Sequence, residues 1–481
     1  MAVTIKLQAI VDAKTSFMIT PRPYLRPAVL VVNRENSLNP APTCESNERF
    51  DGSPRLTGVK IMKLFSVLTF GITAIHSLTA ADTFRTDINP ALLYHQGFSL
   101  RPDLSQQDHD YLFSNQWRGR VLDERFGSLI WKYDNSFKLF HRARYAQVPC
   151  DWGHDISDGP EALLPGLAKA KSAAQTARLR AMWHLQNGKP DYARDDLLAA
   201  FALGRNVSHD RVLISALVQY AIENIVASIV AENAYQLPPE TLRQLADGFA
   251  AAPPLGLVAD CIPVENISFS QYFVRKIEEA RAQDEATAVG RVRQVLGNAF
   301  NSGEPPAVRG VRFEGSEGAA KADKIIAAAG GTIDGLLRLF REMPPLYEQV
   351  ERILRLRVAE YEKRMAEFQD MVNKHPNPLV KAFFSLFDNC RKKEFATQIT
   401  VAMARAGIEY KLRGQEGLQS VLDPCTGAPF DFERFIFEGV DRGFKLKSKY
   451  RGRDFDEVLI FVEKPGPLFR TTGKLAGEKV K

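Results

Sequence analysis

The sequence predicts a mainly α-helical protein, built of antiparallel helical hairpins and closed by a small C-terminal three-stranded antiparallel β-sheet. Apolar residues recur at three- and four-residue intervals through most of the chain after Pro160. Gly, Pro and Asn punctuate those runs at short distances, so successive helices must lie side by side. Near the end the period changes to two, between Phe444 and Tyr450.

Leu92 to Leu100 and Phe126 to Phe140 are short amphipathic runs, expected as helices joined by turns. From Pro160 the helical pattern strengthens. Leu163, Leu164, Leu167 and Ala170 open a face that Ala174, Ala177, Ala181 and Leu185 continue. Asn187-Gly188-Lys189-Pro190 ends that helix, and Tyr192 to Leu203 forms the next. Ser208 is placed to cap a third helix reaching Asn233, and Pro238-Pro239 to open a fourth on Leu242, Leu245 and Phe249. Leu185, Gly188, Tyr192, Ala193 and Ala200 resemble part of a tetratricopeptide unit. One unit alone is found, where a solenoid needs about three.

Residues 82–255 are thus expected as a helical-hairpin domain and 256–342 as an irregular helical linker, with glycines around Gly303 to Gly310 and at Gly330-Gly331. Pro344-Pro345 should open one long helix to Asn373, within a segment 343–377. Its seam is Leu346, Val350, Leu354, Val358, Tyr361, Met365, Phe368 and Val372. Residues 378–464 are expected as a helix from Pro378 to Leu412, a turn-rich loop from Asp423 to Phe430, and strands at 432–437, 444–450 and 458–462. In the middle strand Phe444, Leu446, Ser448 and Tyr450 share one face and Lys445, Lys447 and Lys449 the other. Residues 465–481 read as a disordered tail.

The chain has 481 residues with a formal net charge of +6. Eight Lys or Arg against five acids precede Met62, so half of the excess lies there. Charge spread so thinly leaves only one short basic candidate for nucleic acid, the lysine face near the end of the chain, and no nucleic-acid partner is expected. Residues 62–81 have the layout of a secretory signal peptide: Lys60 and Lys63, an uncharged apolar run from Leu64 to Leu78, then Thr79-Ala80-Ala81 before Asp82. The run is short for ~30 Å of hydrocarbon, so no stable membrane span is expected after cleavage; an uncleaved anchor at 62–81 is the alternative. Residues 1–61, rich in Pro, Asn and Arg, read as a disordered or mis-started extension. Export to an oxidising compartment makes Cys150, Cys261, Cys390 and Cys425 candidates for disulfides, with three pairings open.

Chemistry-bearing residues are sparse. Cys150-Asp151-Trp152-Gly153-His154-Asp155 gathers a thiol, carboxylates and an imidazole, but at no standard metal spacing. It is expected to be a tight turn with Trp152 inward, His154 replaceable by alanine, and Asp155 or Ser157 capping the next helix. Asp108-His109-Asp110 and His209-Asp210 are neighbours that point apart on a helix, and His184 is expected to be a satisfied, partly buried histidine. Glu223 stands in an apolar helix and aligns with Ser215 and Gln219 in a stripe expected to face water. Asp151, His154 and Glu223 are the candidate catalytic residues. No phosphate loop, nucleophile elbow or zinc helix occurs, and neither metal nor cofactor is expected. The lysine face of 445, 447 and 449 could meet an anionic polymer, but alternating lysines also keep an exposed strand soluble.

Asn89-Pro90-Ala91-Leu92-Leu93-Tyr94, Cys150-Asp151-Trp152-Gly153, Gly159-Pro160 and Leu163-Leu164-Pro165 resemble a group of uncharacterised exported bacterial proteins over residues 84–255. The resemblance implies export and a helical-hairpin body, with no established activity. The Asp423-Pro424-x-x-Gly427-x-Pro429 loop and its strands resemble the β ending of pseudopilin-like envelope proteins. The methylation-type helix that precedes such a sheet is absent here, which puts filament assembly in doubt. The expected protein is therefore a non-enzymatic periplasmic or extracellular scaffold that binds another envelope protein. The alternatives are an envelope hydrolase with its acids on separate helices and a pilus- or secretion-associated subunit.

Overall fold

The computed structural model describes residues 85–114, 117, 120–300, 317–452 and 455–465. The expected extension at 1–61, the expected signal peptide at 62–81, Gly303 to Gly310 and the expected tail beyond residue 465 lie outside them. Helices α1 (Pro90–Ser99), α2 (Gln106–Leu112), α3 (Glu124–Trp131) and α4 (Asp134–Arg144) open the body. Asn89, Ser105 and Asp123 each accept a backbone N–H from the first turn of α1, α2 and α3, the expected role of short polar side chains at helix starts.

The hairpin of α5 (Gly166–Gln186) and α6 (Pro190–Val207) turns at Gly188, whose φ of 65° is left-handed. The Lys189 N–H bonds back to the His184 carbonyl at 2.9 Å and the Gly188 N–H to that of Leu185 at 3.0 Å, a paired closure that satisfies the last carbonyls of α5. Helix α7 (Leu213–Glu232) begins later than the sequence suggested. Ser208 donates its hydroxyl to the Arg205 carbonyl and so ends α6 rather than capping α7. Asp210 accepts the Val212 N–H instead, while Arg211 holds φ at 58°.

Helix α8 (Pro239–Ala250) starts at the expected proline pair. Then come α9 (Val258–Asn266), a π-helical turn at Ile267–Gln271, α10 (Tyr272–Gln283), α11 (Ala288–Phe300), α12 (Glu317–Ala328) and α13 (Ile333–Arg341). The expected long helix after Pro344 is two, α14 (Met343–Leu354) and α15 (Val358–Lys374). No Gly or Pro marks the break. Arg355 caps the end of α14, paired to Glu351 and, at 2.9 Å, to Asp260 of α9, and Arg357 is extended. The seam Tyr361, Met365, Phe368 and Val372 is buried against the protein's own body. The helix expected from Pro378 to Leu412 is likewise divided, into α16 (Pro378–Phe384) and α17 (Phe387–Gln419), with Gly414 at positive φ inside α17.

Strands β1 (Asp431–Phe437), β2 (Val440–Gly452) and β3 (Phe455–Val462) form an antiparallel sheet in that order. Phe444 pairs with Phe461 and Leu446 with Leu459, and all four are fully buried. They pack on Ile399 and Met403 of α17. Gly407 of α17 lies against the Phe461 ring, where a Cβ would overlap it. The period of two thus turned the expected face inward. Leu446→Glu should cost several kcal/mol, because a carboxylate would be buried without a partner. The lysine side faces β1: Glu433 is opposite Lys445 and Asp431 opposite Lys447, with Lys445 at 2.7 Å from Glu433 and Lys449 at 3.5 Å from Asp431. Lys447→Glu sets like charges opposite each other and should cost only about 0.5–1 kcal/mol. Urea melts of the two variants decide this; equal losses would refute the assigned faces.

Three apolar clusters form the interior, and α7 contributes to all of them. Leu213, Leu217 and Tyr220 join α9 to α17; Ile222, Val226 and Ile229 join α1 to α8; Ala227 and Ala231 join the sheet. A helix apolar on every side belongs in a core. Among the described residues α7 alone is long and apolar enough to cross a membrane, and here 83% of its apolar window is buried.

Candidate functional site

The stripe of Ser215, Gln219 and Glu223 does not face water: all three side chains are buried. The segment 251–257 lies over them and supplies its own backbone partners. Gln219 accepts the Gly256 N–H at 3.1 Å, Tyr220 donates to the Gly256 carbonyl at 2.8 Å, and Ser215 donates to Asp210 at 3.0 Å. A Cβ on Gly256 would collide with Ser208 and Gln219, so glycine is needed for this close approach.

The far end of the stripe opens into a cleft of about 380 Å³ between α6, α7, α17 and the loop that follows α17. Glu223 sits on its floor, with Arg205 Nε at 2.6 Å from Oε1 and the Gln219 amide donating to the same oxygen. Burial pushes the Glu223 carboxyl above its usual range, against the pull of Arg205 and Gln219. Leu255, Val401, Ala402, Val421, Leu422 and Pro424 make apolar walls, and Arg405 stands exposed at the rim. The lip is fixed from the sheet side. Buried Asp423 accepts from Ser448 of β2 at 2.6 Å and from the Cys425 N–H at 2.8 Å, and its own N–H bonds to the Ala428 carbonyl. The Asp-Pro loop is thereby clasped to β2 and holds Leu422 and Pro424 over the cleft.

Of the three candidate catalytic residues, only Glu223 lines this cleft. Asp151 is exposed in a turn, where its backbone N–H and carbonyl bond to the Asn89 side chain and its carboxylate accepts the Gly153 N–H. His154 pairs through Nδ1 with Asp210 at 2.9 Å, both side chains nearly buried. Nothing local in the sequence signals this partner, and the pairing with the nearly buried Asp210 carboxylate argues against a freely replaceable His154. Asp155 caps no helix, and accepts the Ser157 N–H in a loop. Trp152 stacks on Tyr94 and donates Nε1 to the Asn206 carbonyl at 2.8 Å. The four cysteines 150, 261, 390 and 425 are free thiols, so none of the three pairings that the sequence left open is formed here. Burial pushes Cys150, Cys390 and Cys425 each up to about 12, so they behave as small apolar side chains. Among the described residues no three His, Cys, Asp or Glu side chains converge as metal ligands.

Arg205, Arg405 and Leu422 were not anticipated, since no local pattern distinguishes them. Nor was Glu265 of α9. It is buried, accepts the Leu213 N–H at 3.0 Å, and burial, only partly offset by that bond, raises its carboxyl to about 7 from 4.5. Below pH 4.5 the carboxyl is neutral in the folded and unfolded chains alike. Between pH 4.5 and 7 the unfolded chain ionises first, so stability falls as pH rises, by about 3 kcal/mol in all. Glu265→Gln should therefore raise the melting temperature more at about pH 8 than at about pH 5. An increment independent of pH would show that Glu265 is already ionised in the fold.

The fold and cleft define a mainly helical protein with an amphipathic recess beside a small sheet. No family model, curated protein or solved structure matches the chain.

Proposed function

We propose that this is an exported binding protein of the bacterial envelope, a helical scaffold that engages another envelope protein through the cleft between α7 and α17. The observation that carries this is the cleft's construction: apolar walls from separate elements, a paired Arg205–Glu223 floor, and an exposed guanidinium at the rim. Concave apolar sites with a few fixed polar groups are where proteins bind ligands. The signal-like segment 62–81 and the likeness of residues 84–255 to exported bacterial proteins support the location. The hydrolase alternative is less favoured: Asp151 and His154 are not among the cleft's lining residues, and each is engaged by internal partners. No specific observation favours the pilus-associated alternative.

A photo-reactive residue at position 422 in the native host tests the proposal, with one at Leu163 as control; Leu163 is 83% exposed and outside the cleft. The expected result is a discrete adduct in the envelope fraction from position 422 only. Protein retained in the cytoplasm, or equal adducts from both positions, would overturn it.

A further inference from the structure

We propose that the cleft recognises an apolar carboxylate, the C-terminal residue of a partner polypeptide, with the carboxylate on Arg405 and the aliphatic side chain on Leu255, Val401 and Leu422. This rests on the cleft being the recognition site and specifies its ligand. The charge on the lining residues decides the sign. Arg205 and Glu223 form an ion pair at 2.6 Å and cancel. Arg405 is the remaining charged group on the lining, and its guanidinium carries no ion pair or hydrogen bond among the described residues. The recess therefore presents one uncompensated positive charge and complements a monoanion.

The charge balance and apolar walls narrow the choice of anion, and arginine suits a carboxylate. Its planar fork offers two parallel N–H donors to a carboxylate, a geometry that an ammonium lacks. The other polar groups nearby are engaged. Gln398 donates to Glu394 at 2.9 Å, and Ser420 donates to the Gly417 carbonyl while accepting from Arg413. A ligand richer in charge, such as a phosphate dianion, would meet only one cation on the lining that is not already in an ion pair. What remains is apolar wall, ending in Leu422, which is 50% exposed. A volume of about 380 Å³ lies at the small end of ligand sites. It suits a terminal residue rather than a folded element, and capture of a terminal carboxylate is an established mode of peptide recognition.

Titration calorimetry on the full mature chain, with N-acetyl-Leu-Leu as the probe, tests this. Saturable binding is expected. It should weaken at least tenfold in Arg405→Met, weaken less in Arg405→Lys, and fall with added salt. Arg364→Met, an exposed arginine on α15 already paired with Glu367, should leave it unchanged. N-acetyl-Leu-Leu-amide should bind at least tenfold more weakly than the acid. Equal binding of acid and amide, or full affinity in Arg405→Met, would overturn the proposal. Octanoate binding tighter than the dipeptide would assign the site to a free fatty acid and overturn the peptide source; acetate binding equally well would overturn the apolar part. If none of these acids binds while position 422 still captures a partner in the envelope, the ligand class fails and the binding-protein reading stands.

Discussion

Replacing Asp196 with alanine is expected to destabilise the protein by about 3–5 kcal/mol, the loss typical of a buried ion cluster deprived of one partner. Asp196 lies fully buried on α6, with Arg180 Nε at 2.9 Å, His141 Nε2 at 2.8 Å and His184 Nε2 at 3.4 Å. Arg180 reaches on to Asp134 at 2.6 Å, so the cluster joins α4, α5 and α6. Burial alone would push the Asp196 carboxyl up; the Arg180 guanidinium and the two histidines overcome it and hold the group below its usual range. A depressed carboxyl stabilises the fold above its unfolded value of 3.8 and ceases to do so as pH falls toward the folded value. Asp196→Asn keeps the volume and removes the charge. Its deficit in urea melts should be large at about pH 7 and shrink by about pH 3. A deficit that does not change with pH would mean that packing, not charge, holds these helices.

Trp152→Ala should cost about 3–5 kcal/mol, as expected for emptying a large buried aromatic site. The indole stacks on Tyr94 with centroids 5.6 Å apart, lies beside His154 and Phe98, and is bonded through Nε1 to the end of α6. Trp152→Phe should recover most of the packing and lose about 1 kcal/mol with the hydrogen bond. His154→Ala should cost about 1–3 kcal/mol, because buried Asp210 keeps only Ser215 and the Val212 N–H. Urea melts give all three values. A Trp152→Ala loss below that of His154→Ala would show that the turn is held by Asp210 rather than by the indole.

Local rules carried much of the fold and little of the site. The alternation from Phe444 to Tyr450 names its own buried face, because side chains on a strand point to opposite sides in turn. Pro239 placed a helix start because a missing N–H is harmless there, whereas Pro190, read as the end of one helix, opens the next. The failures come from groups distant in sequence. Ser215, Gln219 and Glu223 make a polar stripe whether the helix faces water or a loop, and only Gly256 and Arg205 decide between these. His154 meets Asp210 across 56 positions and Arg180 meets Asp134 across 46. Arg355 ends α14 through Asp260 of α9, with no punctuating residue nearby. Arg405 looks like any surface arginine until the loop after α17 is folded beside it.

The membership of α7 in three apolar clusters makes the described body a single cooperative unit. No cluster can open without uncovering one side of this helix, so partial unfolding carries a cost in each of the others. Amide hydrogens in the middle of α7 should exchange only through global unfolding, while α2 and the β1–β2 turn exchange by local opening. Any partly unfolded form of the described body that loses one cluster leaves one side of this helix in water, which is what the exchange pattern would report.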